Sequence, residues 1–273
     1  MKNAISIDLE DWFCVNSLSS LIKNEDWDKC ESRIVDSTLR VLELLDKHKT
    51  CATFFVLGWV AERFPELIRE ISNRKHEIAV HGYNHLLLTG ITEAQFEEDL
   101  KRALETIQGC GITRPVLGFR APSFSMVEKT TWALKILEKY KIIYDSSVFP
   151  IRYYGDRGIP DAPLGLYKIT ENLLEVPMSC IELWGKRYPS SGGAYFRILP
   201  YVYTRYCVKR CNSMGRPFVF YTHPWELDPG HPKLNAPFFR KFGHYYNLTR
   251  TERKLDKLLT DFEFTSIRDL LGL

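Results

Sequence analysis

Long apolar runs are missing from this sequence: none reaches the length that a bilayer-spanning helix needs, so no transmembrane segment is expected. Met1, Lys2 and Asn3 lead straight into a strand-like run rather than into the apolar core of a secretory leader, which gives the expectation of a soluble, cytoplasmic chain. The seven cysteines (Cys14, Cys30, Cys51, Cys110, Cys180, Cys207 and Cys211) are odd in number, scattered, and never form C-x-x-C. That argues against a disulfide framework. Cys207 and Cys211 find no second pair to complete a zinc knuckle, and reduced, buried thiols suit the cytoplasm. An excess of one charge is also missing. The formal net charge is +3 without a dense Lys/Arg stripe, so nucleic acid is not an expected partner. Arg197, Arg205, Lys209, Arg210 and Arg216 are spread along the most basic stretch. A solvated helix face accounts for them, and an anionic glycan or a membrane surface is the sharper alternative. Internal repeats and low-complexity segments are absent.

What remains is ordinary globular material. With 273 residues, 45% of them hydrophobic and 26% charged, the chain suits one large α/β domain and is too apolar for disorder. Strand-like runs at 4–9, 52–57, 77–80, 117–119 and 142–145 alternate with helical periodicity over 32–47, 61–74, 92–109 and 129–140. Thr92 and Gln95 have capping-box spacing at the head of the third helix. Strand and helix in alternation argue for parallel strands with helical crossovers. The second half is less regular. It reads as a loop at 151–166, a strand at 173–177, a flexible loop at 190–194 and a helix at 201–214. A buried strand at 217–222, a Pro-rich loop at 228–238, a helix at 251–259 and a last strand at 262–267 follow.

Chemically capable residues follow the strands: Asp8, Glu10 and Asp11, then His81, Arg120, Asp145 and His223. In a β/α barrel such positions converge on one mouth. His81 and His85 stand four apart and can reach one ion if the backbone turns helically between them, although Gly82 replaces the glutamate of the metalloprotease H-E-x-x-H pattern. As a bare pair they are equally readable as loop histidines bonded to the backbone. A carboxylate from the Asp8–Asp11 cluster would complete a site with open positions for water and substrate, and a second carboxylate could act as base. Arg120 is suited to orienting a carboxylate, and His223 to protonating a leaving amine.

Five ordered segments carry a resemblance: SIDLED (6–11), HGYNH (81–85), GFRAPSFS (118–125), YDSSVFP (144–150) and FYTHPWELD (220–228). Together they resemble the NodB-homology polysaccharide deacetylases, carbohydrate esterase family four. The resemblance implies a distorted (β/α)7 barrel of TIM-barrel-like form, with residues 1–273 as a single domain and 172–273 as a family-specific extension. It implies a divalent metal, zinc or else cobalt, nickel or iron, held by Asp11, His81 and His85. Arg120 would position the base, Asp145 would support the acid from behind, and His223 would be that acid. Pro122, Tyr195, Arg197 and Trp225 are the expected substrate contacts, with Arg197 and Arg250 toward a phosphate or anionic sugar. Many relatives carry two adjacent aspartates in the first motif, whereas this chain has Asp8-Leu9-Glu10-Asp11. Asp8 and Glu10 share a side of an extended strand. Resemblance to a related branch with D-x-D, which uses the first Asp as base, implies Asp8 as the base here, with Glu10 as the alternative. The stretches GGAYFR (192–197) and HYYNLTRTE (244–252) resemble the branch linked to bacterial exopolysaccharide and exosortase loci. That branch implies peripheral association with polysaccharide-assembly machinery.

The expected reaction is therefore metal-dependent hydrolysis of N-acetyl groups on an amino sugar of a bacterial polysaccharide or its carrier-linked precursor. Two alternatives stay open: a metal-poor amidohydrolase of small cyclic amides, and a non-catalytic glycan-binding barrel.

Overall fold

Seven consecutive buried residues, Asn3–Leu9, make β1, and covering both faces of a parallel strand explains why the run reads as almost continuously apolar. The computed structural model describes residues 1–151 and 158–273, so part of the loop expected at 151–166 lies outside the described residues. After β1 come α1 (Ile34–Lys47), β2 (Thr53–Val56), α2 (Gly58–Arg63), α3 (Pro65–Asn73) and β3 (Glu77–Val80). Next are α4 (Glu93–Gly109), β4 (Gly118–Phe119), α5 (Trp132–Lys139) and β5 (Tyr144–Asp145). The second half holds β6 (Tyr167–Lys168), β7 (Leu174–Glu175), β8 (Cys180–Leu183), β9 (Lys186–Pro189), α6 (Gly193–Ile198) and α7 (Tyr201–Ser213). It ends with β10 (Val219–Thr222), α8 (Phe238–Tyr245), α9 (Leu248–Asp261), β11 (Phe264–Thr265) and α10 (Ile267–Leu271).

The main sheet runs β10-β1-β2-β3-β4-β5-β7-β6, with β11 also on β1, and only the β6–β7 pair is antiparallel. It curls into the distorted (β/α)7 barrel that the family resemblance implied, with the parallel strands that the alternation of elements implied. Beyond β10 the wall continues through a parallel bridge from Gly192 to Tyr221, whose N–H donates to the Ser191 carbonyl at 2.8 Å. Side chains alternate across the wall. Ala4, Phe55, Ala79, Tyr144, Val219 and Tyr221 fill the inside, while Ile5, Ile7, Leu9, Phe54, Val56, Val80, Phe119 and Phe220 pack outward in the helix-side core. Each of the Val, Leu, Ile and Phe side chains among them contributes about 1.5–3 kcal/mol on burial.

The closed end of the barrel is sealed by the start of α10. Ile267 N–H donates to Thr53 Oγ1 at 2.7 Å, and Arg268 N–H to Glu77 Oε2 at 2.8 Å. Glu77 also receives the hydroxyls of Thr53 and Tyr144 at 2.6 and 2.7 Å.

Several expectations change in detail. The helix expected over 61–74 is two, because Pro65 has no N–H to continue α2 and instead opens α3. The helix expected over 129–140 starts as a 3-10 turn, Glu128–Thr130, before α5. The last strand shrinks to two residues and hands over to α10. The β8–β9 hairpin was not expected; it turns at Trp184 and Gly185, both at positive φ (51° and 70°). The loop expected at 190–194 ends in α6, and α8 begins where the Pro-rich loop stops.

Candidate functional site

The parallel register sets the site. Ile7 pairs with Thr222, so Asp8 and His223 follow side by side, and Val80 pairs with Phe119, so His81 and Arg120 do the same. A cavity of about 420 Å³ opens at this end of the barrel. Asp8, Glu10, His81, His85, His223 and Trp225 all line it.

Period-two alternation directs Ala4, Ser6 and Asp8 inward, and Glu10 continues that side past the end of β1. Asp11 falls on the other side. Its Oδ2 accepts from the Ser32 hydroxyl at 2.6 Å and the Arg33 N–H at 3.0 Å, and its Oδ1 from the Trp12 N–H at 2.9 Å. It thereby anchors the entry to α1. The group that gathers is Glu10, His81 and His85, whose ligand atoms lie within 4.8 Å of one another. This corrects the ligand set of Asp11, His81 and His85.

The backbone between the histidines is a loop, not a helical turn. Gly82 has φ 74° and His85 φ 55°, and α4 holds the loop through Asp99, which accepts the N–H groups of Tyr83 and Asn84 at 2.7 and 3.1 Å. His81 Nδ1 lies 2.7 Å from the Arg120 carbonyl. A carbonyl only accepts, so Nδ1 carries the proton and Nε2 keeps its lone pair for a metal. Burial pushes His85 down to about 4, against the pull of Glu10, so this imidazole is neutral at physiological pH. Glu10 Oε2 is buried without a hydrogen-bond partner, 3.1 Å from His85 Nε2. An orphaned carboxylate oxygen facing two imidazoles with available lone pairs fits a divalent cation.

Arg120 is fully buried and spends its donors locally. Nη1 reaches Asp8 Oδ1 at 2.5 Å and the Ser6 hydroxyl at 2.8 Å, while Nε and Nη2 reach the carbonyl and hydroxyl of Ser146 at 3.0 and 2.9 Å. It therefore sits behind Asp8 rather than in the cavity wall. Asp8 Oδ2 faces His223 Nε2 at 3.9 Å.

His223 is held from both sides. Its Nε2 is 2.9 Å from Glu10 Oε1 and its Nδ1 is 2.6 Å from Glu226 Oε1. Burial works against a charged imidazole here, but the Glu10 and Glu226 carboxylates raise its pKa to about 10. Burial likewise opposes the Glu226 carboxylate, which Arg197 and His223 nevertheless hold at about 2. The partner behind His223 is thus Glu226, not Asp145. Along β5, Tyr144 and Ser146 point inward, so Asp145 points out beside Glu175, its register partner, and accepts the Ser147 hydroxyl. Glu226 follows His223 by three residues, a capping-box spacing in which its carboxylate also takes the His223 N–H at 3.1 Å. That spacing is the sequence signal that would have singled it out.

The expected substrate contacts separate. Trp225 lines the cavity and stacks on His223, rings 5.3 Å apart and 23° from parallel. Arg197 reaches the lining but is buried, with its donors on Glu226 and on the carbonyls of Gly243, His244 and Tyr246. It braces the site rather than meeting an anion. Pro122 and Tyr195 are outside the lining: Pro122 is buried in the 3-10 turn after β4, and Tyr195 lies on α6. Sequence reasoning also missed Phe124, Tyr221, Phe239 and His244, all in the lining.

Residues 27–142 match the polysaccharide deacetylase family. The first part of the barrel is thus similar to the polysaccharide deacetylases. Residues 146–272 match a second family, a domain of unknown function (DUF3473), and the two matched segments build one sheet. Asp8 and Glu10 precede both matches, His81, His85 and Arg120 fall in the first, and His223 falls in the second. A peptidoglycan-N-acetylglucosamine deacetylase of Bacillus cereus is 33% identical over 73 residues, 27% of this chain and 26% of that protein. A peptidoglycan deacetylase-like protein of Gibberella zeae is 32% identical over 126 residues, 44% of this chain and 36% of that one. The chain thus spans roughly a quarter to a third of the length of these curated relatives. Among solved structures, a Mycobacterium smegmatis protein assigned as a polysaccharide deacetylase superposes with a TM-score of 0.65 at 20% identity, covering 99% of this chain and 90% of that one. This likeness concerns the fold.

Proposed function

We propose that the protein hydrolyses N-acetyl groups from an amino sugar of a polysaccharide or its carrier-linked precursor, with Glu10, His81 and His85 holding a divalent cation. The observation that carries the reading is the convergence of that triad with an arginine-held carboxylate, Asp8, and a carboxylate-held imidazole, His223, on one cavity. The mixed oxygen and nitrogen donors suit zinc, or cobalt, nickel or iron. When bound, such an ion supplies Lewis acidity toward the acetyl carbonyl and makes a nearby water more acidic.

The chain's own groups handle the protons. Arg120 occupies Asp8 Oδ1 and leaves Oδ2 to take a proton from the attacking water. As the oxygen of that water bonds to the carbonyl carbon, the C–N bond breaks and His223 Nε2 delivers a proton to the departing amine. Acetate is the second product. Glu226 fixes the His223 ring through Nδ1, and Trp225 covers one ring face. Peptidoglycan stands in the names of both relatives, which supports a glycan here without specifying it.

We further propose membership of the exopolysaccharide-linked branch, which the meeting of 192–197 with 244–252 through Arg197 supports. A cytoplasmic location is proposed on the seven unpaired thiols; among the described residues no helix is long and apolar enough to cross a membrane.

The test is acetate release from a panel of N-acetylated oligosaccharides by chelated protein, before and after zinc or cobalt is restored. Metal-restored acetate supports the reading. Stoichiometric metal without acetate turns attention to small cyclic amides. Neither metal nor acetate leaves a glycan-binding barrel.

A further inference from the structure

We propose that α8 is a membrane-interface element that seats the protein on an anionic phospholipid surface with the cavity rim against it. Four rings form a continuous exposed strip. Phe238, Phe239, Phe242 and Tyr246 are 73%, 86%, 40% and 43% exposed. Phe238 lies 5.7 Å from Phe239 and 6.4 Å from Phe242, and Phe242 lies 4.6 Å from Tyr246, between ring centroids. Positions 238 and 242 are four apart and share one helix face, Tyr246 extends the strip just past the helix end by packing on Phe242, and the residue that α8 buries is His244. Scattered exposed apolar residues are ordinary, but a contiguous aromatic strip on a short helix marks an interaction surface.

Charge identifies the occupant. Residues 229–251 contain Lys233, Arg240, Lys241 and Arg250 and no Asp or Glu. Aromatic rings beside cations, without a carboxylate, match the boundary of an anionic bilayer, where rings enter the headgroup region and ammonium and guanidinium groups meet lipid phosphates. The element also sits at the right place. Phe239, Arg240 and Gly243 line the cavity, Arg240 bonds to Ser20 across its edge, and Arg197 ties the end of α8 to Glu226 behind His223. A surface bound by this face would lie at the rim of the catalytic cleft, where a lipid-carried glycan would present its sugar. That last step rests on the proposed deacetylase function, whereas surface binding itself does not.

The experiment is sedimentation of the full chain, without substrate, with vesicles of phosphatidylglycerol and phosphatidylcholine or of phosphatidylcholine alone. The wild type is expected to partition onto the anionic vesicles and to be released by salt. Phe238→Ser with Phe242→Ser is expected to lower partitioning about tenfold or more. Lys241→Glu is expected to weaken binding to the anionic vesicles alone, by about fivefold or more. All three positions are outside the cavity lining, so thermal unfolding and acetate release from a soluble oligosaccharide should stay at wild-type levels. Vesicle binding without acetate release would uphold the surface while removing the deacetylase reading. Absence of wild-type binding, or variants that bind as well as wild type, would overturn the proposal. So would a dimer that Phe238→Ser dissociates, since a second copy would then cover the strip.

Discussion

Arg197 Nε donates to Glu226 Oε2 at 2.5 Å in a fully buried ion pair. The other oxygen of Glu226 holds His223 Nδ1, so the ion pair reaches the proposed acid through one carboxylate. Glu226→Gln removes the charge that favours the His223 imidazolium and leaves Arg197 partly unpaired. The expected cost is about 3 kcal/mol of stability. The loss of turnover should approach the roughly 10²–10⁴-fold typical of a missing general acid, with KM and bound metal little changed. A merely structural Glu226 would lower the melting temperature and leave kcat per folded molecule at the wild-type value.

The division of labour between neighbouring carboxylates gives a second test. Glu10→Gln, His81→Ala and His85→Ala are expected to lose the metal, as read by elemental analysis. Asp8→Asn is expected to keep it and lose turnover. Asp11→Ala is expected to keep both, while the loss of its bonds to Ser32, Arg33 and Trp12 costs about 2 kcal/mol. Metal loss in Asp11→Ala, with Glu10→Gln still loaded, would return the ligand role to Asp11.

That contest shows where the sequence was legible. Strand ends bearing Asp8, His81, Arg120 and His223 announce themselves, because a buried parallel strand reads as an apolar run and the polar residue that ends it is conspicuous. The side on which Glu10 falls was also within reach of simple alternation, and family analogy with adjacent aspartates pulled the ligand assignment one residue too far. Asp145 was misread for a different reason: β5 is two residues long, too short for its alternation to stand out in the sequence. His244 was hidden because contacts between segments, through Arg197, decide what it touches. Chain order carries no record of those contacts. The β8–β9 hairpin was missed because no Asn-Gly or Asp-Gly pair marks its turn.

Closure of the wall depends on Gly192. Its φ is 139°, and a Cβ there would stand 1.9 Å from the Tyr221 carbonyl oxygen. Gly192→Ala must therefore push 190–193 off β10, breaking the Tyr221 to Ser191 hydrogen bond. The expected destabilisation exceeds about 2 kcal/mol, and because Gly193 and Ala194 line the cavity, the residual folded protein should show a raised KM. Wild-type stability in Gly192→Ala would mean that this segment is not part of the barrel wall in solution.

His76, just before β3 and at the opposite end of that strand from His81, should contribute its own share of acid sensitivity. Its Nδ1 accepts the Ala52 N–H at 3.1 Å, and its Nε2 is buried without a partner. Burial lowers its pKa to about 4. Protonation must displace the Ala52 hydrogen bond and bury a charge, whereas in the unfolded chain the imidazole titrates near its ordinary value of about 6.5. The unfolded state therefore binds the proton first as the pH falls. Stability is intact above about pH 6.5, declines between about 6.5 and 4, and levels off once the folded state also protonates, for a total of about 3 kcal/mol. His76→Asn keeps an acceptor for the Ala52 N–H and has nothing to titrate. Urea unfolding from pH 7 to 4 should show the gap between wild type and His76→Asn shifting toward the variant as the pH falls. His85, His231 and His244, also lowered by burial, leave a slope common to both proteins. Parallel stability curves would mean that His76 escapes its burial before the chain unfolds.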